Sequence, residues 1–170
     1  MKKDVRLTAM HWVMLAGALW SLLYTLLHRV GAQPSRLPPG FTEASTYYAK
    51  AAFLVLPTVA LMTLSVAYST RALIDQKSLT LKDTLELVAK PYLLPLTVTL
   101  IVPELILIQF THFGVLQRYA PYGGVATAIW MGAGLYGAIY STGSCTRIRA
   151  IVATLLAAFA QACIAGLILR

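Results

Sequence analysis

Charge is scarce in this chain. Of its 170 residues 12% are charged and only six are acidic, against roughly a quarter charged in an ordinary soluble domain, so a wetted globular surface is out of reach. Cysteine is scarcer: Cys145 and Cys163 are the only two. Their separation corresponds to ~27 Å along a helix, which excludes an intrachain disulfide. There is no His/Cys cluster with metal-ligand spacing, no glycine-rich phosphate loop after a strand and no nucleophile elbow. An enzyme is therefore not expected, and neither is a cofactor.

Apolar residues, at 58%, are what the chain has in quantity. They fall into five blocks, roughly 10–30, 48–74, 91–110, 124–141 and 150–169, each bounded by charge or turn residues. Each approaches the ~20 residues that a helix rising ~1.5 Å per residue needs to span ~30 Å of hydrocarbon. Backbone polar groups find no water at that depth, so the blocks must be helical. The predicted fold is all-α, a single domain over 1–170 forming an integral membrane bundle of five transmembrane helices. The first block also has the layout of a signal peptide, with small residues at Val30-Gly31-Ala32. His28 and Arg29 sit awkwardly before such a cleavage site, and the block is read as a transmembrane helix.

The formal charge of +8 would suggest nucleic acid in a soluble protein. Here the basic residues sit at the ends of apolar blocks, so anionic headgroups of the bilayer are the expected partner and nucleic acid is not. Lys2, Lys3, Arg6, Arg71, Lys77, Lys82, Lys90, Arg147 and Arg149 fall on one side; Arg29, Arg36, Lys50, Arg118 and Arg170 fall on the other. Nine against five predicts an inner (plasma) membrane protein with its N-terminus cytoplasmic and its C-terminus outside.

Residues 31–46 hold three prolines and two glycines and should form an irregular outer loop. On the inner side Thr80 and Asp83 have capping-box spacing, Leu81, Leu85 and Val88 recur at helical intervals, and Glu86 and Lys90 could pair at i,i+4. Two forms fit: a short interfacial helix before the third span, or an early start to that span. Proline disfavours helical geometry at the preceding residue, so a break or kink is predicted at Lys90-Pro91. Pro95 and Pro103 make the third span the one expected to bend; Pro57 could bend the second. The last two spans carry small residues four apart: Ala128 with Gly132, Ala133 with Gly137, Gly134 with Ala138, and the stripe Ala150, Thr154, Ala158, Ala162 and Gly166. Such stripes allow the close approach that holds membrane helices together.

Two intramembrane polar side chains invite chemistry. Glu104 follows Pro103 inside an apolar span, where an ionised carboxylate is costly unless paired, hydrated or protonated; it could anchor structure or bind a proton or cation. Lys90 is fourteen residues away, roughly 20 Å along a straight helix, and cannot be its direct partner. His28 and His112 should both lie near the outer face on different helices, as two axial ligands of a haem would, whereas His11 lies near the inner face. That gives haem as the alternative to no cofactor. Tyr47, Tyr48, Tyr119, Tyr122, Trp12 and Trp130 fit aromatic belts at headgroup depth better than a substrate cage.

An order of features carries a family likeness. Tyr47-Tyr48 opens a helix containing Pro57. A short inner loop and Ser78-Leu-Thr-Leu-Lys-Asp-Thr-Leu85 lead into a proline-containing helix with Pro103-Glu104-Leu105. Trp130 and an alanine-rich last helix follow. Residues 47–170, about three-quarters of the chain, thereby resemble the Yip family of Ypt/Rab-interacting polytopic membrane proteins, in particular its bacterial members. The resemblance implies five helices, a cytoplasmic N-terminus and a non-enzymatic organiser or adaptor. The long cytoplasmic N-terminal region of eukaryotic members and a recognisable GTPase-contact segment are absent. The expected function is a scaffold, adaptor or accessory subunit partnered by other membrane subunits or by itself. The alternative is a small transporter or redox subunit using Glu104 or the outer histidines.

Overall fold

The structure is a computed structural model that describes residues 7–33, 37, 41–74, 80–110, 113–143 and 146–168, with side chains described as far as residue 159. All regular structure among these residues is helical: α1 (Ala9–Arg29), α2 (Ala44–Leu73), α3 (Leu81–Leu96), a π turn (Thr97–Ile101), α4 (Val102–Phe110), α5 (Phe113–Ser141) and α6 (Arg147–Ile168). Because α3, the π turn and α4 are continuous, the chain forms five rods. Three of them, α1, α2 and the 30 residues Leu81–Phe110, are long and apolar enough to cross a membrane.

Local chemistry accounts for the ends. Thr80 and Asp83 close the anticipated capping box: the Asp83 amide donates to Thr80 Oγ1 at 3.2 Å, and the Thr80 amide donates to the Asp83 carboxylate at 3.0 Å. α1 ends in a Schellman motif, in which Gly31 N–H donates to the His28 carbonyl and Ala32 N–H to that of Leu27. Gly31 has φ +62°, a left-handed conformation that costs glycine little.

The capping box starts a helix that runs on through Pro91, so residues 81–90 belong to the third rod and, of the break or kink expected at Lys90-Pro91, the break is absent. Packing overrides the local preference: Val88, Ala89, Tyr92 and Leu93 on either side of the proline are all buried. The helical hydrogen-bond pattern changes instead at the π turn, which lies between Pro95 and Pro103. Likewise α5 begins at Phe113 rather than near 124, passing through an exposed Pro121. Glu86, anticipated as a partner of Lys90, has its carboxylate on the first turn of α1, where it accepts the Ala9 amide at 2.8 Å. An orphan donor at a helix N-terminus is a favourable site for a carboxylate.

α2 packs on α1, α3 and α6, while α3 also packs on α1 and α5, and α5 on α6. The main core joins Leu23 of α1, Val59, Met62 and Val66 of α2, and Val88, Tyr92 and Leu93 of α3; Ile74, Ile139, Ala150 and Ala153 form a second core at the end where α2 finishes. Large apolar side chains also point outward from every rod, among them Met10, Phe53, Ile106, Ile129 and Leu155. The buried polar residues are threonines: Thr58, Thr63, Thr70, Thr84, Thr97 and Thr127. All but Thr70 donate to the carbonyl four residues back in their own helix. Apolar outside with internally satisfied hydroxyls inside is the arrangement that a lipid solvent favours.

Candidate functional site

Four rods bring polar and aromatic side chains together at one end of the bundle, where α1 finishes and α2 begins. Tyr24 lies five residues before the end of α1, Tyr48 four after the start of α2, Glu104 six before the end of α4, and Gln117 four after the start of α5. At ~1.5 Å per residue all four sit roughly 6–9 Å from their helix ends, a common depth. They line a cavity of about 240 Å³ together with Trp20 and Phe113. Its floor is Leu23, Leu27, Leu116 and Ala120.

The aromatic wall is built ring on ring. Trp20 stacks on Tyr24 at 6.4 Å between centroids; Tyr24 meets Tyr47 edge-on at 6.1 Å and Tyr48 at 6.2 Å; Phe41 meets Tyr47 at 5.3 Å. Tyr48 is 4% exposed, so it belongs to the interior and not to an aromatic belt. Tyr119 departs from the belt too, since its hydroxyl donates to the Thr99 carbonyl at 2.7 Å. Tyr122 and Trp130 are exposed as a belt requires. Lys50 Nζ sits 5.3 Å from the Phe41 ring centroid, a cation already resting on the same aromatic cluster.

Glu104 is half-buried and lines the same cavity as Tyr24. Among the described residues no hydrogen-bond donor, lysine or arginine is paired with it. Lys90, exposed on α3, stands apart from this group. A second cavity of about 340 Å³ lies beside the first and shares Tyr48; His28, Gln33, Thr42, Glu43 and Ser45 give it a polar lining. His28 is at the same end of the bundle as Glu104, whereas His112 lies outside the described residues, as does Cys145.

The small residues divide by face. A Cβ on Gly134 would lie 3.2 Å from Pro91 Cβ, so that glycine seats α5 against α3. One on Gly123 would lie 2.9 Å from the Thr99 carbonyl oxygen, and one on Gly17 would lie 3.3 Å from Leu56 Cα. By contrast, nothing lies within 4 Å of a Cβ on Gly132 or Gly137. On α6 the buried face is Ala150, Ala153 and Ala157; Thr154 is half-buried, Ala158 is exposed, and the side chains at Ala162, Cys163 and Gly166 are outside the described set. Gly17 and Gly123 were missed because only Gly/Ala pairs were sought on the last two spans; Ser21 and Thr127, four residues on, were the available signal.

Comparison with protein families, curated proteins and solved structures found no match to this chain.

Proposed function

We propose that the chain is a five-span protein of the inner (plasma) membrane, N-terminus cytoplasmic and C-terminus outside, acting as a non-enzymatic scaffold or accessory subunit of the Yip type. The observation that carries this is the outward face of α5. Ala133 and Gly137 are exposed there, and among the described residues nothing packs on Gly132 or Gly137. A small-residue face left open in lipid is suited to a further helix, from a second copy or another subunit. α5 and α6 also expose Val125, Ile129, Ile151 and Phe159, which supports counting them as the fourth and fifth spans. Purification in mild detergent followed by native mass spectrometry tests the proposal. A complex that Gly137→Leu weakens is expected; a strictly monomeric chain would rule it out.

A second reading, transport or ligand binding through Glu104, is favoured by the outer cavity, which gives that carboxylate a space to serve. Full function in a Glu104→Gln protein would remove it. The haem alternative rests on His28 and His112, and a purified protein without a Soret band would end it.

A further inference from the structure

We infer that the outer cavity is a binding site for a small organic ammonium group, held by Glu104 and the rings of Trp20, Tyr24, Tyr48 and Phe113. This deepens the reading in which Glu104 serves a ligand, and it does not depend on whether the ligand is then transported.

Three observations converge. Glu104 lies six residues inside the end of the continuous third rod, whereas Glu43 and Asp83 sit at an N-cap and in a first turn and the Glu86 carboxylate is taken by the Ala9 amide. In a chain of net charge +8, no basic side chain among the described residues is placed on it. A half-buried carboxylate without a counter-charge is relieved by water, by a proton or by a cation brought from outside, and the cavity leaves room for the last. A bare metal ion would need several oxygen ligands. Among the described residues there is no group of three or more His, Cys, Asp or Glu side chains that could hold one.

What surrounds Glu104 is aromatic: four rings from α1, α2 and α5 line the same cavity. Ring faces attract an ammonium group through their quadrupoles, most strongly where water is thin, and they tolerate its methyl groups where a hydrogen-bonding cage would not. At about 240 Å³ the cavity is smaller than the roughly 300–1,000 Å³ of drug-sized sites, so the occupant is a headgroup-sized amine.

The same chemistry is offered by free choline or ethanolamine and by the amine of a phospholipid headgroup, and the common depth of Tyr24, Tyr48, Glu104 and Gln117 is within reach of either. The test uses the full chain in nanodiscs of phosphatidylglycerol, which has no amine. Titration with choline, ethanolamine and the neutral choline isostere 3,3-dimethyl-1-butanol is followed by calorimetry and by tryptophan fluorescence, since Trp20 lines the site. Saturable binding of an ammonium ligand at least about tenfold tighter than the neutral isostere is expected, with that preference lost in Glu104→Gln. Nanodiscs containing phosphatidylethanolamine form the second arm. Weakened choline binding there assigns the site to the lipid amine, and unchanged binding assigns it to a free one. No ammonium binding in phosphatidylglycerol, or equal affinity for the neutral isostere, overturns the inference whatever the variant does. Transport of the bound amine is a separate assay, so its absence would remove the transport reading and leave the binding site standing.

Discussion

Glycines of similar appearance in the sequence have opposite consequences in the fold. Gly123 lies where α5 meets the π turn, and a methyl group there would approach both the Thr99 carbonyl and the Tyr119 ring at 2.9 Å. Neither neighbour is a free end, so Gly123→Ala should cost about 1–3 kcal/mol, the usual range for overpacking. At Gly137 a methyl group meets open space, and alanine is the better helix former by roughly 1 kcal/mol. Gly137→Ala should therefore leave the melting temperature of the isolated chain in detergent unchanged or slightly raised. Thermal unfolding of the two variants side by side checks this; equal losses would show that the α5 faces are wrongly divided. Spacing in the sequence picked out Gly132, Gly134 and Gly137 together and could not separate them. A four-residue interval says that a face exists, but not whether the chain's own helices or an outside partner covers it. Ala158 illustrates the same limit, since the buried face of α6 runs through Ala153 and Ala157 instead.

At the scale of elements, the third rod shows how proline disturbs a helix some distance from where the pair rule puts it. Pro103 has no N–H to offer the Thr99 carbonyl four residues back, and the Tyr119 hydroxyl of α5 donates to that carbonyl at 2.7 Å. Thr99 Oγ1 contacts Thr127 Oγ1 at 2.6 Å, and Thr127 donates to the Gly123 carbonyl, so the irregular turn is tied to α5 by side chains. Tyr119→Phe alone should destabilise by about 0.5–1.5 kcal/mol, the range of a single interhelical hydrogen bond in a membrane. Pro103→Ala restores the missing donor, so in that background Tyr119→Phe should cost measurably less. A double-mutant cycle in detergent unfolding reads the difference, and additivity within about 0.3 kcal/mol would show that proline and phenol are independent. The sequence marked this rod as the irregular one from its prolines. It gave no sign that the hydroxyl compensating for Pro103 would come from Tyr119, because that partner is set by how α5 docks. The Thr80–Asp83 cap, being local, was readable residue by residue. The cavity around Glu104 was hidden because its six principal side chains come from four rods. Only after the helix hairpins are formed does the count from each helix end bring Tyr24, Tyr48, Glu104 and Gln117 to one depth.

For the whole molecule, orientation is the property that charge should control. The nine inner basic residues are spread over three short segments, and the largest group, Arg71, Lys77, Lys82 and Lys90, lies between the second and third spans. Replacing those four by glutamine would leave five basic residues on each side, removing the bias on which the proposed topology rests. None of them lines the outer cavity, and Arg71, Lys82 and Lys90 are exposed, so bundle packing should survive the change. In the native sequence, a reporter active only in the cytoplasm should work at the N-terminus and fail at the C-terminus, with the reverse for one active only outside. In the four-fold variant both reporters should become partly active at both ends, because insertion no longer distinguishes the two orientations. Native fusions that place both termini on one side would contradict five spans directly, since an odd number of crossings must separate them. A four-fold variant that keeps a single orientation would instead locate the signal in Lys2, Lys3 and Arg6, where the first helix sets direction before the later loops are made. That outcome would also move the ammonium site's expected access: it is outer only because the ends of α1 and α4 are outer, so ligand added from one side of sealed vesicles reports the same topology independently of the fusions.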